Sequence, residues 1–522
     1  MIFSVILLFA LVVGSNAPTA LRRSATSVQS GDPITCRLTI VNTLYPEDSV
    51  DPYGGVNMIR NEQTSACIPY FDNVESDLIL TVDLPASFVS ANLRSLSYGT
   101  LFVNVTGAAI VQGVLQVNSR TTFNVLDQLS DNMTRRLQTK TTGTQTLMVV
   151  RVTTQDGVSP PFTLDEMRAR IFGDGVGLRS QFLACSSGQL AFEDAGGLDI
   201  TLPLPIANYT NSYQIVTAAQ QVIYNTVGKL ANQIADKVMF CEPPGTGNWL
   251  AVAPMNHWRT NYNNNWCLSL SANLHEIGHN IGQLHSGLGI DNYGDLTGYM
   301  GYGSSDQDAP QKCYNGVKNH YLGWFQTREV AVDPSAMNSF QLAAFTDFNK
   351  TSESQPVLLS IGAQYYLQYN RAKLFNVGTG AKANTVTITE DTIGWSTSRA
   401  GLAANEEWTV QNYTGTGRTL IVKACERIDA TTSDGVDVMI VSIGLDMIYC
   451  PTLSPRIKHV CAHKNEACKK SKDCCGNLQC LKSSGNQKNT CQKCHNAKHC
   501  TRNKDCCPGF TCTAAGRCKK SK

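Results

Sequence analysis

Residues 275–285 read H-E-I-G-H-N-I-G-Q-L-H, and the reading of the segment around them turns on this stretch. His275 and His279 are four apart, so on a helix they project from one face and can share a metal ion. Gly282 follows three residues after His279, where a glycine lets the helix stop and the chain turn through a conformation costly for other residues. That turn can return His285 beneath the helix as a third ligand. Three imidazoles leave a fourth coordination position open, as a catalytic zinc site requires and a structural one avoids. Glu276, beside the first histidine, is placed to take the proton of an attacking water while the metal polarises a peptide carbonyl. Fifteen residues past His285, Met300 can lie beneath the metal as a soft apolar floor. Tyr302, two residues on, is a candidate contact to the metal or to the oxyanion of the reaction.

The flanking segments read as α/β. Leu147–Val152 is a buried strand by its unbroken apolar run, and Thr163 with Glu166 forms a capping box that starts a helix. A helix is expected over Ala218 to about Ala235, with Val222, Ile223, Val227, Leu230 and Ile234 on one face. Trp249–Val252 reads as a further strand ahead of the histidine helix.

Blocks beyond the histidines extend the pattern: I-F-G at 171–173, A-C-S-S-G-Q-L at 184–190 and Y-G-D-L-T-G-Y-M-G at 293–301. C-Y-N-G-V-K-N-H-Y-L-G-W at 313–324 and Y-Y-L-Q-Y-N-R-A-K at 365–373 continue it. With the histidine motif they resemble the metzincin metalloproteases, and within them the gametolysin (autolysin) family, over about 145 to 450. The resemblance implies an α/β catalytic domain, a mixed twisted sheet with a zinc-binding active-site helix, over 145–330. It implies a metalloendopeptidase with His275, His279 and His285 as metal ligands, Glu276 as catalytic acid/base and Met300 as the turn methionine. The implied metal is Zn2+; Cu2+ is the other candidate, because imidazole sites bind it strongly. The implied substrates are extracellular proteins, among them matrix or cell-wall glycoproteins.

The chain opens with MIFSVILLFALVVGSNA, an apolar stretch too short for a membrane span and followed by small residues. It reads as a secretory signal over 1–17, cut between Ser15 and Ala20, which predicts a secreted, extracellular protein. Residues 18–140 show β-type stretches such as Leu78–Val82 and Thr100–Val105 and end near the dibasic Arg135–Arg136, the expected shape of a removable propeptide. Its two cysteines, Cys36 and Cys67, lack an arginine–cysteine–glycine setting, and pairing with each other would leave no thiolate to hold the metal in a zymogen. Residues 331–455, rich in Val, Ile, Thr and Tyr, predict a mostly β domain. Twenty cysteines fit an oxidising compartment. Their segment counts are even: two before Arg136, four from Cys185 to Cys313, then Cys425 and Cys450. Sequons at Asn104, Asn132, Asn208, Asn349 and Asn412 suggest a glycoprotein.

Twelve cysteines lie from Cys461 to the end. Their spacing, C-x6-C-x5-C-C-x4-C-x10-C and then C-x5-C-x5-C-C-x4-C-x5-C, looks like two inhibitor-cystine-knot (knottin-type) modules at 461–491 and 494–518. Six cysteines permit 15 pairings; the resemblance favours first with fourth, second with fifth and third with sixth. From Ile457 onward Lys and Arg exceed Asp and Glu by 12, although the whole chain carries only +2. A basic tail on an acidic body can attach to an anionic glycan, cell wall or membrane surface; nucleic acid is not an expected partner of a secreted protein. A second class, a catalytically inert binding or toxin-like protein acting through the tail, is opposed by the intact Glu276 and three histidines.

Overall fold

A computed structural model describes residues 33–46, 59–71, 74–76, 79–111, 114–126, 140–173, 175–303, 309–428 and 436–451, with short stretches at 478–482, 489–493, 510–513 and 518–520. The signal segment, the Arg135–Arg136 pair and most of the cysteine-rich tail lie outside the described residues. Residues up to Cys450 form one compact unit and Pro451–Lys522 a second.

The first unit is built on one mixed sheet. We number the strands that position the site: β1 (Ile34–Pro46), β2 (Ile59–Phe71), β3 (Gly143–Thr153), β4 (Leu190–Thr201), β5 (Lys237–Glu242), β6 (Ala251–Pro254) and β7 (Arg259–Asn263). They run side by side in the order β4-β3-β5-β7-β6-β1-β2. The pairings β4–β3, β3–β5 and β5–β7 are parallel, while β6 runs antiparallel to β7. The parallel centre is covered on both faces, so β5 is buried at every position. One face carries α3 (Ser212–Val227), whose Ile215, Val216, Ala219 and Ile223 pack with Val150 and Phe240. The other carries α1 (Leu164–Phe172), α2 (Leu178–Cys185) and α4 (Leu270–Asn280), which share a core with Val149 and Met239.

Local chemistry sets the helix ends. The Thr163–Glu166 capping box opens α1, as its sequence predicts. The helix expected over 218–235 instead spans Ser212–Val227. Asn211 caps it by accepting from the Gln214 amide, and Gly228, with φ 74°, ends it in the left-handed region. Leu230 and Ile234 keep the apolar spacing but sit beyond that stop, flanking a short 3-10 turn at Ala231–Gln233. The strand expected over 249–252 lies two residues later, at Ala251–Pro254.

Residues 34–125 are not a detached module. β1 and β2 pair over their whole length and are joined by the Cys36–Cys67 disulfide. β1 also pairs antiparallel with β6, Val41–Leu44 against Ala251–Pro254, so this hairpin continues the central sheet. The buried Arg37 guanidinium donates to the carbonyls of Gly99 and Met255, and Met255 and Leu284 enter the N-terminal core with Leu38, Leu80 and Val103. On the C-terminal side, residues 329–445 fold as two layers of strands over a core containing Leu359, Leu367, Ile388, Val422 and Val441. One of the two sheets reaches the histidine segment, for Ser286–Gly287 pairs in parallel with Ser396–Thr397. Both expected boundaries, near 140 and near 330, therefore fall inside one compact unit.

The remaining described disulfides are Cys185–Cys313, Cys241–Cys267 and Cys425–Cys450, each within the segment its even count assigns. Among the described residues no helix is long and apolar enough to cross a membrane. In the second unit two short hairpins are described, Leu478–Lys482 with Asn489–Lys493 and Phe510–Cys512 with Cys518–Lys520. Their backbone registers set Cys480 opposite Cys491 and Cys512 opposite Cys518, one hairpin in each cysteine repeat.

Candidate metal centre

Helix α4 begins at Ser269, whose side chain accepts from the Ala272 amide, and every one of its residues is buried. His275 and His279 project from it one turn apart. The helix ends at Asn280, and Gly282 at φ +86° turns the chain as its position predicts. A Cβ on Gly282 would come within 2.9 Å of the Asn256 side-chain oxygen, so close packing demands glycine as well. Past that turn His285 returns to the helix. Its Nε2 lies 3.1 Å from that of His279, and the three candidate ligand nitrogens all fall within 4.8 Å of one another.

The imidazole tautomers follow from what the other ring nitrogens touch. His275 Nδ1 donates to the Tyr299 carbonyl at 2.8 Å and His279 Nδ1 to the Gln283 carbonyl at 2.7 Å. Both rings thus keep Nε2 as a lone-pair donor toward the shared point. For His285 the partner comes from far away in sequence: Gln63 of β2 sets its side-chain amide 3.0 Å from Nδ1 and also bonds the Asn42 side chain. With the amides as oriented, the buried Asn42 Nδ2 has no partner among the described residues. Turning both amides over lets Asn42 Nδ2 donate to the Gln63 oxygen and lets that oxygen accept from His285 Nδ1–H, which frees the third Nε2 for a metal.

Burial sets the electrostatics. His275 is pulled down to about 4 chiefly by desolvation, and His279 and His285 are held well below the ordinary imidazole value by burial and by the neighbouring rings. All three are therefore neutral at pH 7, the form that binds metals. Burial raises the Glu276 carboxyl well above its usual range. It is 0 % exposed, and among the described residues neither oxygen has a hydrogen-bond partner. Two facing Nε2 atoms 3.1 Å apart and an unpaired buried carboxyl are costly arrangements by themselves. They fit a site that holds a divalent cation and a polar reactant. Three imidazoles with one open position suit zinc, and copper shares the preference.

The floor and walls are aromatic and soft. Met300 is 1 % exposed and its sulfur lies against Gly278 of α4, where it meets the helix between the two ligand histidines. The Tyr293 ring packs edge-on to His285 at 4.3 Å, and Trp395 stands at 5.6 Å from the same ring. Tyr302 packs behind Tyr293, the rings 6.0 Å apart. Sequence reasoning singled out Tyr302 and passed over Tyr293, although Tyr293 opens the quoted 293–301 block and Tyr302 directly follows it. Behind His285, the buried Lys318 donates to the His285 and Gly394 carbonyls at 2.9 and 2.7 Å. A buried polar group of Ser286, Asp295, Asn315 and Ser396 ties the same segment to the C-terminal layer. Gln63, Asn42 and Trp395 carried no motif, and Lys318, though inside the quoted 313–324 block, was not singled out, because all four reach the site through tertiary contacts.

Residues 145–352 match the family model described as gametolysin peptidase M11, a span that contains the three histidines, Glu276 and Met300. The match supports a metallopeptidase. It begins inside β3 and ends in the first part of the C-terminal layer, so residues 34–125 and the tail lie outside it. No curated protein matches the chain.

Proposed function

We propose that this chain is a secreted zinc endopeptidase of the metzincin type, cleaving extracellular proteins, with matrix or cell-wall glycoproteins as the substrate class to try first. The observation that carries the reading is the convergence of His275, His279 and His285 on one point, with the unpaired Glu276 carboxyl on the same helix. A zinc ion held by the three Nε2 atoms would polarise the scissile carbonyl and make water a stronger acid near neutral pH. Glu276, a proton acceptor when ionised, takes the proton of the attacking water and passes it to the departing amine. The cation itself offsets the burial that raises this carboxyl, so the charged form belongs to the loaded state. Met300 and the tight Gly278 contact keep the ligand helix from shifting, and Tyr293 and Trp395 limit rotation of the His285 ring.

The disulfides fit an extracellular setting, and the leading apolar segment is read as the secretion signal. The tail is read as a pair of knottin-like modules that use positive charge to hold the enzyme on an anionic matrix. The test compares wild type and Glu276→Ala on a gelled denatured protein, with bound metal measured for both. Cleavage by wild type alone, with equal metal in both proteins, is the expected result. Equal cleavage by the two, or a wild type that takes up no metal, overturns the reading.

A further inference from the structure

A turn of the C-terminal layer stands beside the third ligand. Strands Thr385–Thr392 and Trp395–Leu402 pair antiparallel and meet in a two-residue turn, Ile393–Gly394, closed by Thr392 opposite Trp395. Both turn residues have positive φ, 57° for Ile393 and 85° for Gly394. Glycine takes that conformation freely, whereas a β-branched side chain does so only under constraint from its surroundings. Three bonds supply the constraint. Asp391 Oδ1 accepts from the Gly394 amide at 2.6 Å, the Tyr321 hydroxyl donates to Asp391 Oδ2 at 2.7 Å, and Lys318 donates to the Gly394 carbonyl at 2.7 Å. Ile393 is thereby held exposed at the tip, and the half-buried Trp395 packs edge-on to the His285 ring at 5.6 Å.

We propose that this turn is a specificity wall: Trp395 with Met255 and Leu284, and with Ile393 at the rim, forms an apolar subsite on the His285 side of the metal that takes an aliphatic or aromatic side chain flanking the scissile bond. The proposal rests on the peptidase reading and adds to it the kind of residue the site selects. The wall is continuous with the metal centre. Leu284 directly precedes the third ligand, Trp395 touches that ligand's ring, and a Cβ on Gly394 would fall 3.2 Å from Leu284 Cδ1. Successive Cα atoms of a polypeptide are about 3.8 Å apart, so a peptide bond held at the metal brings a neighbouring side chain within reach of the indole. The surface also accommodates side chains of the required kind, for Met255 and Leu284 are buried in one cluster with Leu38, Leu96 and Val103, and Trp395 packs against it. An aliphatic group of another polypeptide has the same chemistry to offer. The bonds behind the turn keep the wall in one shape, which selection between side chains requires. The turn lies past residue 352, where the family match ends, so this wall belongs to the chain's own C-terminal layer.

The test uses the zinc-loaded full-length protein, intact or cut at Arg135–Arg136, in whichever state hydrolyses faster. Its substrates are fluorogenic peptides that share one scissile bond and carry leucine, phenylalanine or serine at the two positions on each side of it. At one of those positions wild type should prefer the apolar residue over serine by about 10- to 200-fold in kcat/KM, the range a hydrophobic pocket supplies. Trp395→Ala should lose most of that preference and Trp395→Phe should keep it. Ile393→Gly, whose backbone suits the positive φ and so folds, should lower the same preference. The ratio between peptides separates recognition from support of the ligand: loosening of His285 slows every peptide by one factor, whereas loss of the wall slows the apolar ones alone. A wild type without preference at any of the four positions, or a Trp395→Ala variant that slows all peptides equally, overturns the proposal while the peptidase reading stands. A zinc-loaded wild type that cleaves none of the peptides in either state removes the peptidase reading, and the subsite with it.

Discussion

The sulfur of Met300 lies 2.7 Å from where a Cβ on Gly278 would sit, and the Tyr314 hydroxyl 3.3 Å from the same point. Glycine in the middle of the ligand helix is thus a packing requirement of the methionine beneath it. Gly278→Ala gains roughly 1 kcal/mol of helix propensity and loses about 1–3 kcal/mol to overpacking, so net destabilisation is expected. Denaturant unfolding of the metal-free chain measures it. In Gly278→Ala combined with Met300→Ala the two effects should fall short of additivity, because the second change removes the clash made by the first.

Glu276 gives a pH signature with a definite sign. Burial raises its folded value above the unfolded one, so from pH 4.5 upward the folded state holds a proton that the unfolded state has released. Stability from this group is full below the unfolded value and is lost as pH rises. The imidazoles act in the opposite sense: with His275 lowered to about 4, their contribution is present above pH ~6.5 and is lost as pH falls toward 4. In the metal-stripped protein Glu276→Gln should match wild type near pH 4 and become progressively more stable than it as pH rises. Urea titrations of both proteins from pH 4 to 8 check this. A constant difference across that range would contradict the buried, unpaired state of the carboxyl.

How much was legible in the sequence depended on the range of the interaction. The histidine helix, its glycine turn and the Thr163 cap rest on residues within one or two turns of each other, and each stands where its spacing predicts. The 218–235 helix missed by six residues at its start because the Asn211 cap was passed over. It ran past its true end because Leu230 and Ile234 continue the apolar period beyond Gly228. The pairing of β1 with β6 joins residues about 210 apart, and the bond from Gln63 to His285 joins residues 222 apart. Neither leaves a local pattern: Gln63 reads as one more polar residue in a strand, and the edge of β6 looks free until β1 is seen on it.

Lys318 should matter to the metal although it is no ligand. Its ammonium bonds the carbonyls of His285 and Gly394 from a fully buried position, tying the third ligand to the turn that carries Trp395. Lys318→Met keeps the volume and leaves two buried carbonyls unpaired, at about 1–3 kcal/mol each. Zinc affinity should fall by about 10- to 100-fold, the usual effect of losing support behind a ligand. Competition with a coloured chelator reads it directly. Unchanged affinity would mean that the strand pairing of Ser286–Gly287 with Ser396–Thr397 holds His285 unaided.

The tail prediction separates attachment from catalysis. An excess of 12 basic residues from Ile457 onward stands against a body whose net charge is about −10, since the whole chain carries +2. Between exposed charges such attraction is screened over about 8 Å at physiological ionic strength, so retention on an anionic matrix should weaken steeply with added salt. A chain ending at Pro455 should pass through a heparin-type column in low salt while keeping the peptide kcat/KM of the full protein. The three histidines and Glu276 lie in the compact unit that ends at Cys450, which this truncation leaves whole. If the shortened chain is retained as strongly as the full one, the basic tail is not the anchor. If instead hydrolysis of a small soluble peptide falls with the truncation, the tail takes part in the chemistry and the separation proposed here is wrong.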